Sequence, residues 1–247
     1  MNYVSGDLRD QLAHLGREVV RSGLVVGSGG NLSARLPAGD SCWVTAAGSW
    51  LDRLDRDCFA EVAIVEPDAP APVDGPSIDG ADVDGADVNG ADVNGADNVF
   101  GGGLVPSSEV ALHLAAYRAR PDVRVVVHLH PQSVLLLDAL GESIRLVTTD
   151  HAFYLRRVAR VPFRLPGSEE LAELAATAAS DGTNCLVLAQ HGCSVLADSV
   201  ELAHKRATNL EEAARLTYRA LLAGRLAELP DAPAAFLDRL EAGPTSV

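Results

Sequence analysis

Lysine is nearly absent from this 247-residue chain: of its 20 basic residues only Lys205 is a lysine. A Schiff-base mechanism needs a deprotonatable amine, so it would have to run through that one residue, which sits inside a long predicted helix. Imine chemistry is thereby set aside and metal-assisted chemistry moves ahead. The four cysteines, Cys42, Cys58, Cys185 and Cys193, form no C-x-x-C pair and lie mostly in apolar contexts. They read as reduced core residues and point to the cytoplasm. No apolar run approaches the roughly 20 residues needed to span a bilayer, and no N-terminal stretch resembles a signal peptide, so no membrane partner is expected. A basic stripe is also missing, which argues against a nucleic-acid partner.

The formal net charge of −14 is unevenly distributed. Residues 66–98 hold eight Asp and one Glu with no Lys or Arg; without those nine, 20 basic residues face 25 acidic ones and the balance is −5. The same stretch carries a five-residue repeat, from Gly80-Ala81-Asp82-Val83-Asp84 through Gly95-Ala96-Asp97. Such a segment cannot bury enough apolar surface to offset ordering, and its Asp spacing does not match a calcium loop. Residues 66–103 are therefore expected to be a disordered insert. The rest, with 47% hydrophobic residues over the chain, can bury one substantial core, so residues 1–247 read as a single domain.

Leu8, Leu12, Leu15 and Val19 at helical spacing predict an amphipathic helix after a cap at Ser5, ending at Gly23. Gly27-Ser28-Gly29-Gly30-Asn31-Leu32-Ser33 reads as a glycine-rich turn, and short strands follow at Cys42 to Thr45 and Ala60 to Val65. Beyond the insert, helix and strand alternate: a helix from Ser107 or Ser108, a strand Val123 to Leu129, a helix Pro131 to Leu140, and a strand Val158 to Phe163. A helix capped by Ser168 then runs to Ala179. Strands at Cys185 to Ala189 and Ser194 to Leu196 precede helices at Ser199 to Leu222 and Pro233 to Leu240. This alternation argues a layered α/β/α domain and, by itself, a parallel sheet.

The chemistry centres on His128, His130, His191 and Glu109. Residues i and i+2 of a strand face the same side, so His128 and His130 can share one ion. A strand-to-turn transition at Gln190-His191-Gly192 would present a third imidazole. Three imidazoles with one open coordination position describe a catalytic rather than a structural zinc site, with Glu109 as the carboxylate beside it. His14, His113 and His204 fall on predicted helices and His151 in a loop. All but His151 read as structural.

A second theme is small residues with exposed backbone N–H groups: Gly29 to Ser33, the turn at Gly48, and Ser107-Ser108 at a helix start. Each alone is ordinary turn and cap chemistry; together they suit phosphate oxygens.

Taken in order, Gly30-Asn31-Leu32-Ser33, Thr45-Ala46-Ala47-Gly48, Pro106-Ser107-Ser108-Glu109 with His113 four residues on, His128-Leu129-His130 and Gln190-His191-Gly192 resemble the class II aldolase and adducin family. The resemblance runs from about Leu8 to Leu222. It implies a three-layer α/β/α fold around a mixed, mostly antiparallel sheet, assembled as a homotetramer with sites at subunit interfaces. It further implies one zinc per subunit, or manganese or cobalt in its place, held by His128, His130 and His191, with Glu109 as the acid/base residue that also touches the metal in an empty site. Phosphate would lie against Ser28, Gly30, Asn31, Gly48, Ser107 and Ser108. The family's tyrosine proton donor from a neighbouring subunit falls in the region Thr148 to Tyr154, where His151 and Tyr154 are the candidates.

The activity this implies is aldol cleavage or formation of a C–C bond in a small phosphorylated ketose through a zinc-bound enediolate, giving dihydroxyacetone phosphate and an aldehyde. The same site also suits a sugar-phosphate 4-epimerase or a decarboxylase of a 3-oxo sugar-acid phosphate. The stretch Phe153 to Glu173 and Asn209-Leu210-Glu211-Glu212 is similar to the decarboxylating members. A noncatalytic adducin-like interaction module is the reading of another class, and it predicts a degraded metal site, whereas all four residues are present.

Overall fold

The computed structural model describes residues 5–65 and 103–241. The disorder expected of the acidic insert concerns residues outside these, Gly103 excepted. The described strands are β1 (Asn31–Arg35), β2 (Ser41–Thr45), β3 (Phe59–Ala63), β4 (Val125–Leu129), β5 (Val158–Val161), β6 (Cys185–Leu188) and β7 (Gly192–Ala197). The helices are α1 (Leu8–Arg21), α2 (Val110–Ala119), α3 (Gln132–Leu140), α4 (Thr149–Leu155), α5 (Glu169–Ala179), α6 (Val200–Leu222) and α7 (Ala234–Glu241).

The strands form one sheet in the order β3-β2-β1-β4-β7-β6-β5. Every pairing is antiparallel except β5 with β6. Helix and strand alternation alone pointed to a parallel sheet, and this is corrected by the connections. Only β5-α5-β6 is a crossover, which a parallel pair requires. β1 to β2 and β6 to β7 are joined by turns too short for anything but antiparallel neighbours. The mixed, mostly antiparallel three-layer architecture is the one the family resemblance implied.

Side-chain alternation along β4 explains the layers. Val125, Val127 and Leu129 face a core built with α1, α3, α4 and α6, while Val126 faces a second core built with α2 and α5. Each fully buried Val or Leu contributes about 1.5–3 kcal/mol relative to exposure. A one-residue slip would swap the two faces, so burial on both sides pins the register that aims His128.

Several boundaries differ from the sequence reading. The N-cap of α1 is Asp7, not Ser5: its carboxylate accepts the Arg9 N–H at 2.9 Å. The glycine-rich turn ends at Gly30, and Asn31 to Arg35 is a strand because it pairs on both sides, with β2 and β4. Helix α2 begins at Val110 with Glu109 as its N-cap residue. His151 lies in helix α4 rather than a loop, within a capping box with Thr148. All four cysteines are unpaired, and burial pushes the thiols of Cys42 and Cys185 up to about 12, which makes them inert core residues.

Candidate metal centre

Three short segments bring the site together at one end of the sheet. His128 is on β4 and His130 just after it, on the face turned toward α2. His191 closes the three-residue turn between β6 and β7, and Glu109 stands at the start of α2. One ligand atom from each of the four residues lies within 4.8 Å of all the others. His128 turns Nδ1 toward Ser194 Oγ of β7, at 3.3 Å. Its Nε2 then faces inward, 2.9 Å from His130 Nε2 and 3.2 Å from Glu109 Oε2. His191 Nε2 is 3.0 Å from Glu109 Oε1.

Close packing of backbone makes this convergence feasible. A Cβ on Gly192 would stand 2.5 Å from Leu129 O and 2.6 Å from His130 Cδ2. Gly30 has φ +79°, and a Cβ there would stand 2.5 Å from His128 O. Both glycines let imidazole-bearing backbone approach where any side chain would collide.

The cluster fits a divalent cation. Glu109 Oε1 is buried with no hydrogen-bond partner, and imidazole lone pairs facing one point repel unless a proton or cation lies between them. Burial pushes Glu109 up, but the proximity and charge of His128 and His191 outweigh it and hold the carboxyl well below the usual range. His130 is pushed down to about 4, first by burial and then by the charges of His128 and His191. It is therefore neutral near pH 7 and can offer a lone pair. The three-nitrogen, one-carboxylate donor set suits a borderline ion with an exchangeable position.

The proposed phosphate residues gather around the same end. Ser107 N–H donates to Thr45 O at 3.0 Å and Ala47 N–H to Val105 O at 2.9 Å, which ties the turn at Gly48 to the Ser107-Ser108 segment. Ser28, Gly48 and Ser108 are exposed, while Asn31 and Ser107 are buried. Asn31 uses its side chain on Glu109, donating from Nδ2 to Oε2 at 2.9 Å. His151 is not brought to the cluster. Its Nδ1 faces the backbone N–H groups of Val147 and Thr148, and its Nε2 pairs with Glu212 of α6. Tyr154 packs edge-on against the exposed ring of Phe153, centroids 5.1 Å apart.

Residues 10–218 match the Class II Aldolase and Adducin N-terminal domain. The chain belongs to the class II aldolase and adducin family. That family is metal-dependent and acts on small phosphorylated sugars, in keeping with the Glu/His cluster. The chain is 31% identical to a 3-oxo-tetronate 4-phosphate decarboxylase of Escherichia coli K12, over 92% of this chain and 96% of that one. It is 29% identical to an L-fuculose phosphate aldolase of Methanocaldococcus jannaschii, over 87% and 97%. The crystal structure of YgbL from Escherichia coli superposes with a TM-score of 0.69 at 29% identity, covering 90% and 97%. Among the described residues, no helix is long and apolar enough to cross a membrane.

Three supports of the site escaped the sequence reading. Asp138 on α3 holds the turn before His191. Glu211 on α6, 3% exposed, accepts the first N–H groups of α3 from Ser133 and Val134, just after His130-Pro131. His113, read as structural, bonds Asn31. Glu211 carried a signal through the Asn209–Glu212 match, and His113 through its place one helical turn after Glu109.

Proposed function

We propose that this chain is a metal-dependent lyase that decarboxylates a small 3-oxo sugar-acid phosphate, with His128, His130 and His191 holding zinc and Glu109 handling the proton. The observation that carries this reading is the single buried carboxylate among three imidazoles, with Oε1 making no hydrogen bond and facing His191 Nε2 at 3.0 Å. A bound cation supplies a Lewis acid for the substrate's carbonyl oxygen. Ser28, Gly30, Gly48, Ser107 and Ser108 take the phosphate, with Asn31 contributing the amide hydrogen that its bond to Glu109 leaves over.

Loss of carbon dioxide from a four-carbon 3-oxo acid 4-phosphate breaks the C1–C2 bond and leaves its electron pair in a C2–C3 enediolate. Glu109 passes a solvent proton to C2, and the product is dihydroxyacetone phosphate. The low proton affinity of Glu109 comes from the neighbouring imidazoles, which outweigh its burial, so at neutral pH it stands ready as a base. One proton-transfer group suffices for this reaction. General acid–base help of this kind typically contributes roughly 10²–10⁴-fold.

Aldol cleavage is the second reading, favoured by the 29% identical fuculose phosphate aldolase. It forms the same enediolate, but the departing aldehyde oxygen needs a further proton-transfer group. Both nitrogens of His151 are engaged, which leaves Tyr154, reaching a neighbouring subunit's site in a homotetramer. The exposed apolar side chains of Val26, Phe163 and Leu165 suit burial against another copy. The experiment is elemental analysis of the purified protein, then incubation with 3-oxotetronate 4-phosphate and with ketose 1-phosphates. Carbon dioxide and dihydroxyacetone phosphate from the former support the first reading; aldehyde from the latter alone moves the assignment to aldolase. Absence of metal together with inertness toward both would sink the enzyme assignment.

A further inference from the structure

A buried file of polar side chains runs from Glu109 away from the metal centre into the layer between the sheet and α2. Asn31 Nδ2 donates to Glu109 Oε2 at 2.9 Å. Asn31 Oδ1 meets His113 Nε2 at 2.5 Å, His113 Nδ1 meets Ser33 Oγ at 2.6 Å, and Ser33 Oγ meets Tyr117 OH at 2.6 Å. Asn31 and Ser33 share one face of β1, while Glu109, His113 and Tyr117 follow one another at helical-turn spacing. His113, Ser33 and Tyr117 are at most 1% exposed.

Donor and acceptor rules leave this file one direction. An ionised carboxylate only accepts, so Asn31 must present its NH₂ to Glu109 and its carbonyl to His113. The carbonyl only accepts, so His113 carries its proton on Nε2 and offers Nδ1 as an acceptor. Ser33 therefore donates to His113, and Tyr117 donates to Ser33. The ring must stay neutral for Nδ1 to accept, and burial pushes His113 down to about 3.

We propose that His113, as the neutral Nε2–H tautomer, is a positioning residue: through Asn31 it clamps Oε2 of Glu109 and leaves Oε1 as the proton-accepting atom. A bare alkyl group at 113 would free the Asn31 amide to rotate and turn its carbonyl against the carboxylate. A buried network with every group satisfied specifies one geometry; a half-satisfied one does not. The catalytic consequence rests on the lyase reading above, while the hydrogen-bond direction does not.

The test has one arm independent of turnover. Imidazole ¹⁵N spectra of the metal-free protein, with His113 assigned from the spectrum of His113→Gln, are expected to report the Nε2–H tautomer unchanged between pH 5 and 8. The Nδ1–H tautomer or an imidazolium in that range would overturn the proposal whether or not a substrate is known. In the second arm, His113→Leu is expected to lose about 10–100-fold in kcat, as supporting-residue changes typically do, with KM and metal content near wild type. His113→Gln, which still donates to Asn31, recovers most of that loss. Equal losses in both variants, or lowered Tm with unchanged kcat, would reduce His113 to a packing role. If the wild-type protein turns over none of the proposed substrates, the function reading fails, and the spectra still decide the relay.

Discussion

Asp138 on α3 accepts the backbone N–H of Gln190 at 2.7 Å, so a helix on one face of the sheet holds the turn that carries His191. Gln190 has φ 53°, a left-handed conformation that costs a non-glycine residue about 1–2 kcal/mol. The other carboxylate oxygen of Asp138 meets Arg160 Nε at 2.6 Å. A histidine of the candidate metal centre is thus aimed by a strained residue that a buried carboxylate restrains.

Asp138→Ala removes that restraint and takes the charged acceptor from the Gln190 N–H. Hydrogen bonds to charged groups are worth about 1.5–3 kcal/mol, and a loss of that size in metal-free denaturation is expected. Metal retention on dialysis falls with it. A variant with wild-type stability and full metal content would show that the turn holds itself.

Gly192→Ala should hit the metal centre more than the fold. The added methyl meets the ring of His130 and the carbonyl of Leu129 at once, and overpacking of this kind typically costs about 1–3 kcal/mol. Because His130 must move, substoichiometric metal is the expected result in elemental analysis, with secondary structure by circular dichroism unchanged. Full occupancy would contradict the packing argument.

Acid should destabilise the metal-free protein before its carboxylates titrate. His113 and His130 are pushed down to about 3 and about 4, in both cases chiefly by burial, against about 6.5 in the unfolded chain. Both states are neutral above 6.5, so nothing is lost there. As pH falls below 6.5 the unfolded chain binds protons that the folded chain refuses, and stability drops by up to about 1.4 kcal/mol per pH unit for each histidine. The loss from each continues until its folded-state value is reached. Urea midpoints between pH 7.5 and 5 measure this directly, and His113→Gln should flatten the slope. A flat profile in the parent protein would refute the assignment.

His151 is expected to matter for stability rather than rate. It completes the capping box of α4 and ties that helix to Glu212, and loss of a cap typically costs about 1 kcal/mol. His151→Ala should lower Tm while kcat stays within a fewfold of wild type. A large kcat loss at unchanged Tm would instead assign it a proton-transfer role, and Tyr154→Phe run alongside separates the two candidates.

The candidate metal ligands were legible because their signal is local. His128 and His130 share a face through the two-residue period of a strand, and a run of β-branched residues announces that strand on its own. The pattern of 109, 113 and 117 was equally readable as one helix side, yet His113 passed for an ordinary core histidine. Its role depends on β1, a strand that the glycine-rich stretch at 27–30 disguised.

By itself, the sequence determined most of the helices and strands, the three-histidine and one-glutamate set, and the family to which they belong. Tertiary structure alone decided the strand order of the sheet, the direction of the Asn31–His113–Ser33–Tyr117 file, and the withdrawal of His151 into a helix cap. The reason is physical. Periodicity and turn chemistry act within a few residues, whereas these contacts join groups separated by some 60–80 positions. Such groups meet only when sheet register and helix packing are already in place.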